Sequence, residues 1–265
     1  MKSKIFKNLL KSINLKNKTA IITGAGGKLG KRIAQVLGEL NCNLILIDHP
    51  NVKIDYKNNK INIKTYKCNF ENIENVRNTI TKIKSLNKKI NILINNAFYT
   101  GVSKLDNWLV EFNRQDLANW DNTIKVGLTS AFELSKSFAD NLAKNRGLII
   151  NIGSIYANNA PNKNIYAGTK LNSPAAYSVA KAGLLNFTKW LAINLAPKVR
   201  VNMISPGGIK RSQPKKFIKQ YLHNVPLNRM AYESDIDGAL IYLSTDLSNY
   251  VTGHNLMIDG GYSAS

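Results

Sequence analysis

Residues that build metal centres and covalent cross-links are scarce in this 265-residue chain: two cysteines, Cys42 and Cys68, and three histidines, His49, His223 and His254. The cysteines form no C-x-x-C pair and the histidines lack metal-ligand spacing, which argues against a zinc site, a disulfide framework or any bound metal. Two reduced thiols fit a cytoplasmic protein. Acidic residues are also few, 16 Asp and Glu against 37 Lys and Arg, for a formal net charge of +21. Arginine occurs only at Arg32, Arg77, Arg114, Arg146, Arg200, Arg211 and Arg229, so the excess is mostly lysine dispersed along the chain. That is the pattern of a solvated surface rather than of a nucleic-acid partner, although an anionic substrate remains compatible with it. No stretch reaches the roughly 20 apolar residues of a transmembrane segment, and the N-terminus lacks a signal peptide's apolar run and cleavage site. Internal repeats and linkers rich in Pro, Gly or Ser are missing too, which leaves one domain.

What remains is globular in composition, 44% hydrophobic and 20% charged, and long enough to bury a core unaided. Residues 1–15 read as a basic extension, and within Met1 to Lys18 the residues Ile5, Phe6, Leu9, Leu10 and Ile13 recur at helical spacing with lysines mostly off that stripe. Seven short apolar runs follow, at Thr19–Thr23, Asn43–Ile47, Ile63–Lys67, Asn91–Asn95, Leu148–Ile152, Arg200–Ile204 and Asn255–Ile258. Helix-period segments separate them, near Leu29–Leu40, Ile73–Leu86, Gln115–Ala143, Pro174–Leu195, Lys215–Leu222 and Glu233–Ser244. Such alternation predicts an α/β fold, a doubly wound parallel seven-stranded sheet with helices on both faces. Ser173-Pro174 predicts the start of the fourth of these helices, with Ser173 as N-cap and proline at the first helical position.

The chemistry-bearing residues sit at strand ends. Thr23-Gly24-Ala25-Gly26-Gly27-Lys28-Leu29-Gly30 follows the first strand and opens the first helix of the domain. Glycines there let the main chain approach a pyrophosphate, and the helix N-terminus offers it free N–H donors. Asp48 closes the second strand, where a carboxylate accepts ribose hydroxyls and repels a 2′-phosphate; this favours NAD(H), while Lys28 keeps NADP(H) open. Tyr177 and Lys181, four residues apart, share a helix face, where a cation favours the phenolate. Ser154 follows the fifth strand and supplies a hydroxyl for a substrate oxygen. Together these residues point to hydride exchange at a carbon bearing oxygen, with Tyr177 moving the proton.

From about Lys16 to Gly261 the chain resembles the single-domain short-chain dehydrogenase/reductase family. The Gly-rich loop, Asp48, Asn95-Asn96-Ala97, Ser154, Tyr177 and Lys181, Pro206-Gly207, Thr252-Gly253 and Asp259-Gly260-Gly261 all occur in family order. The resemblance implies a Rossmann-type domain over residues 16–265 and catalytic residues Ser154, Tyr177 and Lys181. It implies cofactor contacts at Gly24, Gly27, Lys28, Leu29, Gly30, Asp48, Asn69, Phe70, Asn96, Ala97, Tyr177, Lys181, Pro206, Gly207 and Ile209. It further implies a homodimer or homotetramer that pairs through the Tyr/Lys helix and its predecessor.

Several positions depart from the family pattern. Lys28 stands where the loop's middle glycine belongs, and Gly24, Gly27 and Gly30 alternatively match the loop of the larger sugar-nucleotide epimerase branch. The chain's length and its Asp259-Gly260-Gly261 ending resemble the smaller enzymes. Gly127 replaces the family's catalytic asparagine, and Phe98 stands where glycine commonly follows Asn-Asn-Ala. The interval from Ser154 to Tyr177 is longer than usual, and its Tyr156, Asn158, Asn159, Tyr166, Lys170 and Asn172 suggest a pocket for a hydroxyl-rich ligand. The segment looks like that of members associated with bacterial surface-carbohydrate synthesis. The leading expectation is therefore an alcohol/carbonyl oxidoreductase acting on a polar, sugar-like small molecule. Its rivals are a 3-oxoacyl-thioester reductase and a catalytically silent dinucleotide-binding subunit.

Overall fold

The computed structural model describes residues 3–87, 89–99 and 106–264; Met1 and Lys2 of the expected extension lie outside them. Seven strands, β1 (Thr19–Thr23), β2 (Asn43–Asp48), β3 (Ile63–Lys67), β4 (Ile92–Asn95), β5 (Leu148–Ile152), β6 (Arg200–Pro206) and β7 (Asn255–Ile258), form one sheet in the order β3-β2-β1-β4-β5-β6-β7. Every pairing is parallel, which is the expected doubly wound architecture. The order reverses between β1 and β4, so a crevice opens there at the carboxyl ends of the strands.

The strands read as unbroken apolar runs because both faces of the sheet are covered, yet neighbouring residues still part company. Ala20, Ile22, Leu44, Leu46, Ile92, Ile94 and Ile150 pack against α2 (Lys28–Glu39) and α8 (Asp237–Ser244). Ile21, Ile45, Ile47, Leu93 and Ile149 face the opposite layer of α3 (Ile73–Leu86), α5 (Ser130–Lys144) and α6 (Ala175–Leu195). Polar residues inside this layer are tied together: Asn95 on β4 donates to Asn151 on β5 at 2.8 Å, and Asn151 donates to Thr188 on α6 at 2.8 Å. A third apolar cluster, of Ile155, Ile165, Phe217, Tyr221, Val225, Met230 and Tyr262, roofs the carboxyl ends of β5 and β6. The segment after Ser154 and α7 (Lys215–Leu222) supply most of it.

Three expectations need correction. The expected helix over Gln115–Ala143 is α4 (Leu117–Ile124), a π turn over Lys125–Thr129 and then α5; the extra residue per turn falls around Gly127, a helix-weakening residue. At the start of α6 the cap is Pro174, not Ser173, and the helix begins at Ala175. The free Ala175 N–H is satisfied by the distant Gln115 side chain at 2.9 Å, so a tertiary contact replaces the local cap. Glu233–Ile236 is a 3₁₀ turn, and α8 begins only at Asp237. The N-terminal stripe forms α1 (Lys4–Ser12), none of whose residues is buried, whereas Leu15 is already core.

Candidate active site

The turn from β1 to α2 is shaped by what its glycines exclude. Gly24 has φ +65°, and a side chain there would meet the Ala97 Cα and the Asn96 Nδ2 at 2.9 Å. At Gly30 a Cβ would lie 2.0 Å from the Gly24 carbonyl oxygen, so only glycine lets α2 pack onto the turn. Asn96, just after β4, ties that strand to Thr23 at the end of β1: Asn96 Nδ2 donates to the Thr23 carbonyl at 2.8 Å, and the Thr23 hydroxyl accepts the Asn96 and Ala97 N–H groups at 3.0 Å. Gly27 caps α2 without a side-chain acceptor, leaving first-turn N–H groups for an anion, with the exposed Lys28 beside them. Asp48, only 9% exposed, accepts from Gly26 N–H at 2.7 Å and from His49 N–H at 2.7 Å. A backbone cradle that side chains would fill, an uncapped helix N-terminus and a carboxylate one strand away together fit the pyrophosphate and ribose of a dinucleotide.

From this turn one cavity of about 720 Å³ runs across the carboxyl ends of the strands to the chemical residues. Its walls include Gly24, Gly27, Lys28, Leu29, Gly30, Asp48, Asn96, Ser154, Tyr177, Lys181, Pro206, Gly207 and Ile209, all expected from the sequence. Three expected cofactor residues stand outside this lining. Asn69 turns its side chain onto the Glu71 N–H, Phe70 packs in the core with Cys68 and Val76, and Ala97 packs against the same cluster while its N–H bonds Thr23. The sequence reading leaves out Gly26, Phe98, Gly208, Arg211 and Gln213, which do line the cavity. A signal for Gly26 lay in the double glycine itself; Phe98 comes from the turn after β4, and Gly208, Arg211 and Gln213 depend on how the loop after β6 folds back, with Ile209 bridging Ala231.

At the chemical end, α6 presents Tyr177 and, one turn on, the buried Lys181. Lys181 Nζ donates to the Ile152 carbonyl at 2.6 Å and lies 4.2 Å from the Phe98 ring centroid. The Phe98 and Tyr177 rings meet edge to face at 4.9 Å. Burial pushes the Tyr177 phenol above its ordinary value, while a hydrogen bond with Ser154 pulls it back. Burial alone drives Lys181 down to about 7. Burial thus holds the phenol in its acid form and destabilises the ammonium one turn away.

The long segment after Ser154 is more aromatic at the cavity than its composition suggests. Of its six polar residues only Tyr156 and Tyr166 line the wall, and their hydroxyls bond each other at 2.8 Å. Asn172 is turned onto the Ser173 N–H and Asn158 onto the Met257 sulfur; neither these nor Asn159 and Lys170 reach the cavity wall. Arg211, paired with Glu233 at 2.7 Å, and Gln213, which accepts from the Arg211 N–H and donates to the Ile209 carbonyl, add polar side chains to this wall.

Comparison with known proteins agrees with this geometry. Residues 24–263 match the family described as enoyl-(acyl carrier protein) reductase. A 3-oxoacyl-(acyl-carrier-protein) reductase of Buchnera aphidicola is 35% identical over 257 residues, 94% of this chain and 98% of its own. An NAD-dependent glycerol dehydrogenase of Listeria innocua is 27% identical, over 97% of this chain and 98% of its own. Among solved structures, a short-chain dehydrogenase from Leptospira borgpetersenii with bound NAD+ superposes with a TM-score of 0.86 at 32% identity, covering 99% of this chain and 98% of its own.

Proposed function

The chain belongs to the short-chain dehydrogenase/reductase family, and from that premise we propose that it is an NAD(H)-linked oxidoreductase interconverting a secondary alcohol and a ketone on a polar small molecule. The observation that carries this reading is the continuity of one cavity from the glycine cradle and Asp48 to Ser154, Tyr177 and Lys181. Gly24, Gly26, Gly27, Lys28, Leu29 and Gly30 would hold the pyrophosphate, Asp48 the adenosine ribose, and Pro206, Gly207 and Ile209 the nicotinamide end. A nicotinamide cofactor supplies or accepts the hydride when bound. The chain's own residues manage the oxygen and its proton. Ser154 orients the substrate oxygen through its hydroxyl, and Tyr177 donates its phenolic proton to that oxygen during reduction. The Lys181 ammonium lowers the cost of the phenolate that remains. In oxidation the same phenolate takes the proton back.

Asp48 supports NAD(H): a 2′-phosphate beside a nearly buried carboxylate meets like charge without water to screen it. The aromatic wall and the 35% identical relative favour a second reading, reduction of a 3-oxoacyl thioester. Exposed apolar residues on α5 and α6, Phe132, Val179, Trp190 and Ile193, support pairing of subunits through these helices. No helix of the described residues is long and apolar enough to cross a membrane, and no cluster of metal-ligating side chains occurs among them.

The test is a screen of polyols, sugar ketones, sugar phosphates and 3-oxoacyl thioesters with NADH and NADPH in parallel, repeated with Asp48→Ala. Turnover of a polar ketone with NADH, and at least a tenfold relative gain for NADPH in Asp48→Ala, is the expected result. Faster turnover of the thioesters establishes the second reading, and tight NADH binding without turnover anywhere sinks both in favour of a silent subunit.

A further inference from the structure

Two residues, one lining the reaction centre and one packed behind it, have no part in the mechanism above. Phe98 follows β4, and Gly127 lies in the π turn between α4 and α5. A Cβ at Gly127 would stand 2.4 Å from Phe98 Cε2 and 2.8 Å from Cδ2, so the ring occupies the space that any side chain at 127 would need. Gly127 has no positive φ; its backbone conformation therefore does not call for glycine, and the reason for its absence of a side chain is the ring. The space so gained places a benzene face 4.2 Å from the Lys181 ammonium nitrogen and a benzene edge against Tyr177.

Lys181 is 4% exposed, and among the described residues its one hydrogen bond goes to the Ile152 carbonyl and no ion pair reaches it. A buried ammonium with one carbonyl partner is poorly solvated, and of the two rings beside it the Phe98 face at 4.2 Å stands well inside the Tyr177 ring at 5.9 Å, which makes Phe98 the main remaining source of negative potential. The other titratable or charged groups facing the pair are Tyr156, whose ring meets Tyr177 at 6.2 Å, and Tyr166 bonded to it. Tyr221, Lys28, Asp48 and Arg211 stand further along the cavity wall, and Lys125, on the π turn itself, is exposed.

We propose that Phe98, admitted by the missing side chain at Gly127, is a positioning residue that keeps Lys181 in its ammonium form through a cation–π contact and thereby sets the acidity of Tyr177. The proposal rests on the reading of Tyr177 as the acid/base. Burial drives Lys181 toward neutrality, and the ring face opposes it. Weakening the face lowers the lysine's proton affinity, removes positive charge beside the phenol and raises the pH needed to form phenolate. Alcohol oxidation, which starts from phenolate, then requires higher pH.

The test replaces Phe98 in the full-length protein by mono-, di- and trifluorinated phenylalanine, which drain the ring face with little change of shape, and by leucine, which removes it. The acid limb of the oxidation rate is expected to climb stepwise with fluorination, by about half to one pH unit in total, with NADH affinity and substrate KM unchanged. A profile unmoved across the series overturns the proposal, because a packing role alone predicts no graded response. Lysine labelled with 13C at Cε, the Lys181 signal being identified by its loss in Lys181→Met, gives a readout that needs no turnover. Its midpoint should fall along the same series and in Gly127→Ala, which forces the ring aside. If no substrate is ever found, a falling midpoint still supports the contact and a constant one still overturns it.

Discussion

The two ends of the cavity are built of different material. Beside β1 the walls are main chain: Gly24, Gly26, Gly27 and Gly30 present peptide groups, and Asn96 braces them from the next strand through Thr23. Beside β5 and α6 the walls are side chains: Phe98 and Tyr177 flank the lysine, and Tyr156 and Tyr166 stand beyond Tyr177. A main-chain site depends on which positions can do without a Cβ, a property each residue carries by itself. A side-chain site depends on partners far apart in sequence, and its chemistry changes when two of them change together, as at positions 98 and 127.

The sharpest way to break this contrast is at the phenol. Tyr177→Phe removes a proton donor while keeping the ring against Phe98, so kcat should fall by about 10²–10⁴-fold while NADH affinity, followed by fluorescence, stays constant. Equal losses in both would mean that the two ends are one structural unit. A smaller effect is expected from Gly30→Ala, whose Cβ would stand 2.0 Å from the Gly24 carbonyl oxygen. It should cost about 1–3 kcal/mol of stability in urea unfolding and weaken NADH binding, without moving the pH profile of whatever activity remains.

The gentlest probe is the buried lysine. Its folded proton affinity is depressed, to about 7, so between that pH and its ordinary titration the unfolded chain binds a proton that the native one has released. Stability contributed at this site therefore grows as pH rises through 7, by at most about 1.4 kcal/mol per pH unit. Lys181→Met should be the more stable protein at pH 6, with an advantage that shrinks by pH 9. An advantage that is constant across this range would mean the lysine is not desolvated.

These differences also mark how far the sequence could be read. All seven strands, the glycine turn and the Ser154, Tyr177 and Lys181 set were legible, because periodicity and glycine spacing act locally and because strand ends in a parallel sheet converge. The π turn was not, since nothing in Lys125–Thr129 alone distinguishes it from a continuing helix. The Gln115 cap of α6 bridges 60 positions, and no local pattern announces it. The segment after Ser154 misled through composition. Of the asparagines read as available for a ligand, Asn172 is turned onto the Ser173 N–H and Asn158 onto the Met257 sulfur, so one serves as a turn former and the other as a tether to β7.

The bond from the Gly26 N–H to the Asp48 carboxylate has one more implication. The residue that would tell two cofactors apart is also a strut of the phosphate-binding turn, so preference and architecture are not separable parameters here. An engineer who trades the carboxylate for a neutral group to welcome the phosphorylated dinucleotide also cuts a tether on the loop. A successful redesign would have to supply Gly26 with a new acceptor in the same stroke.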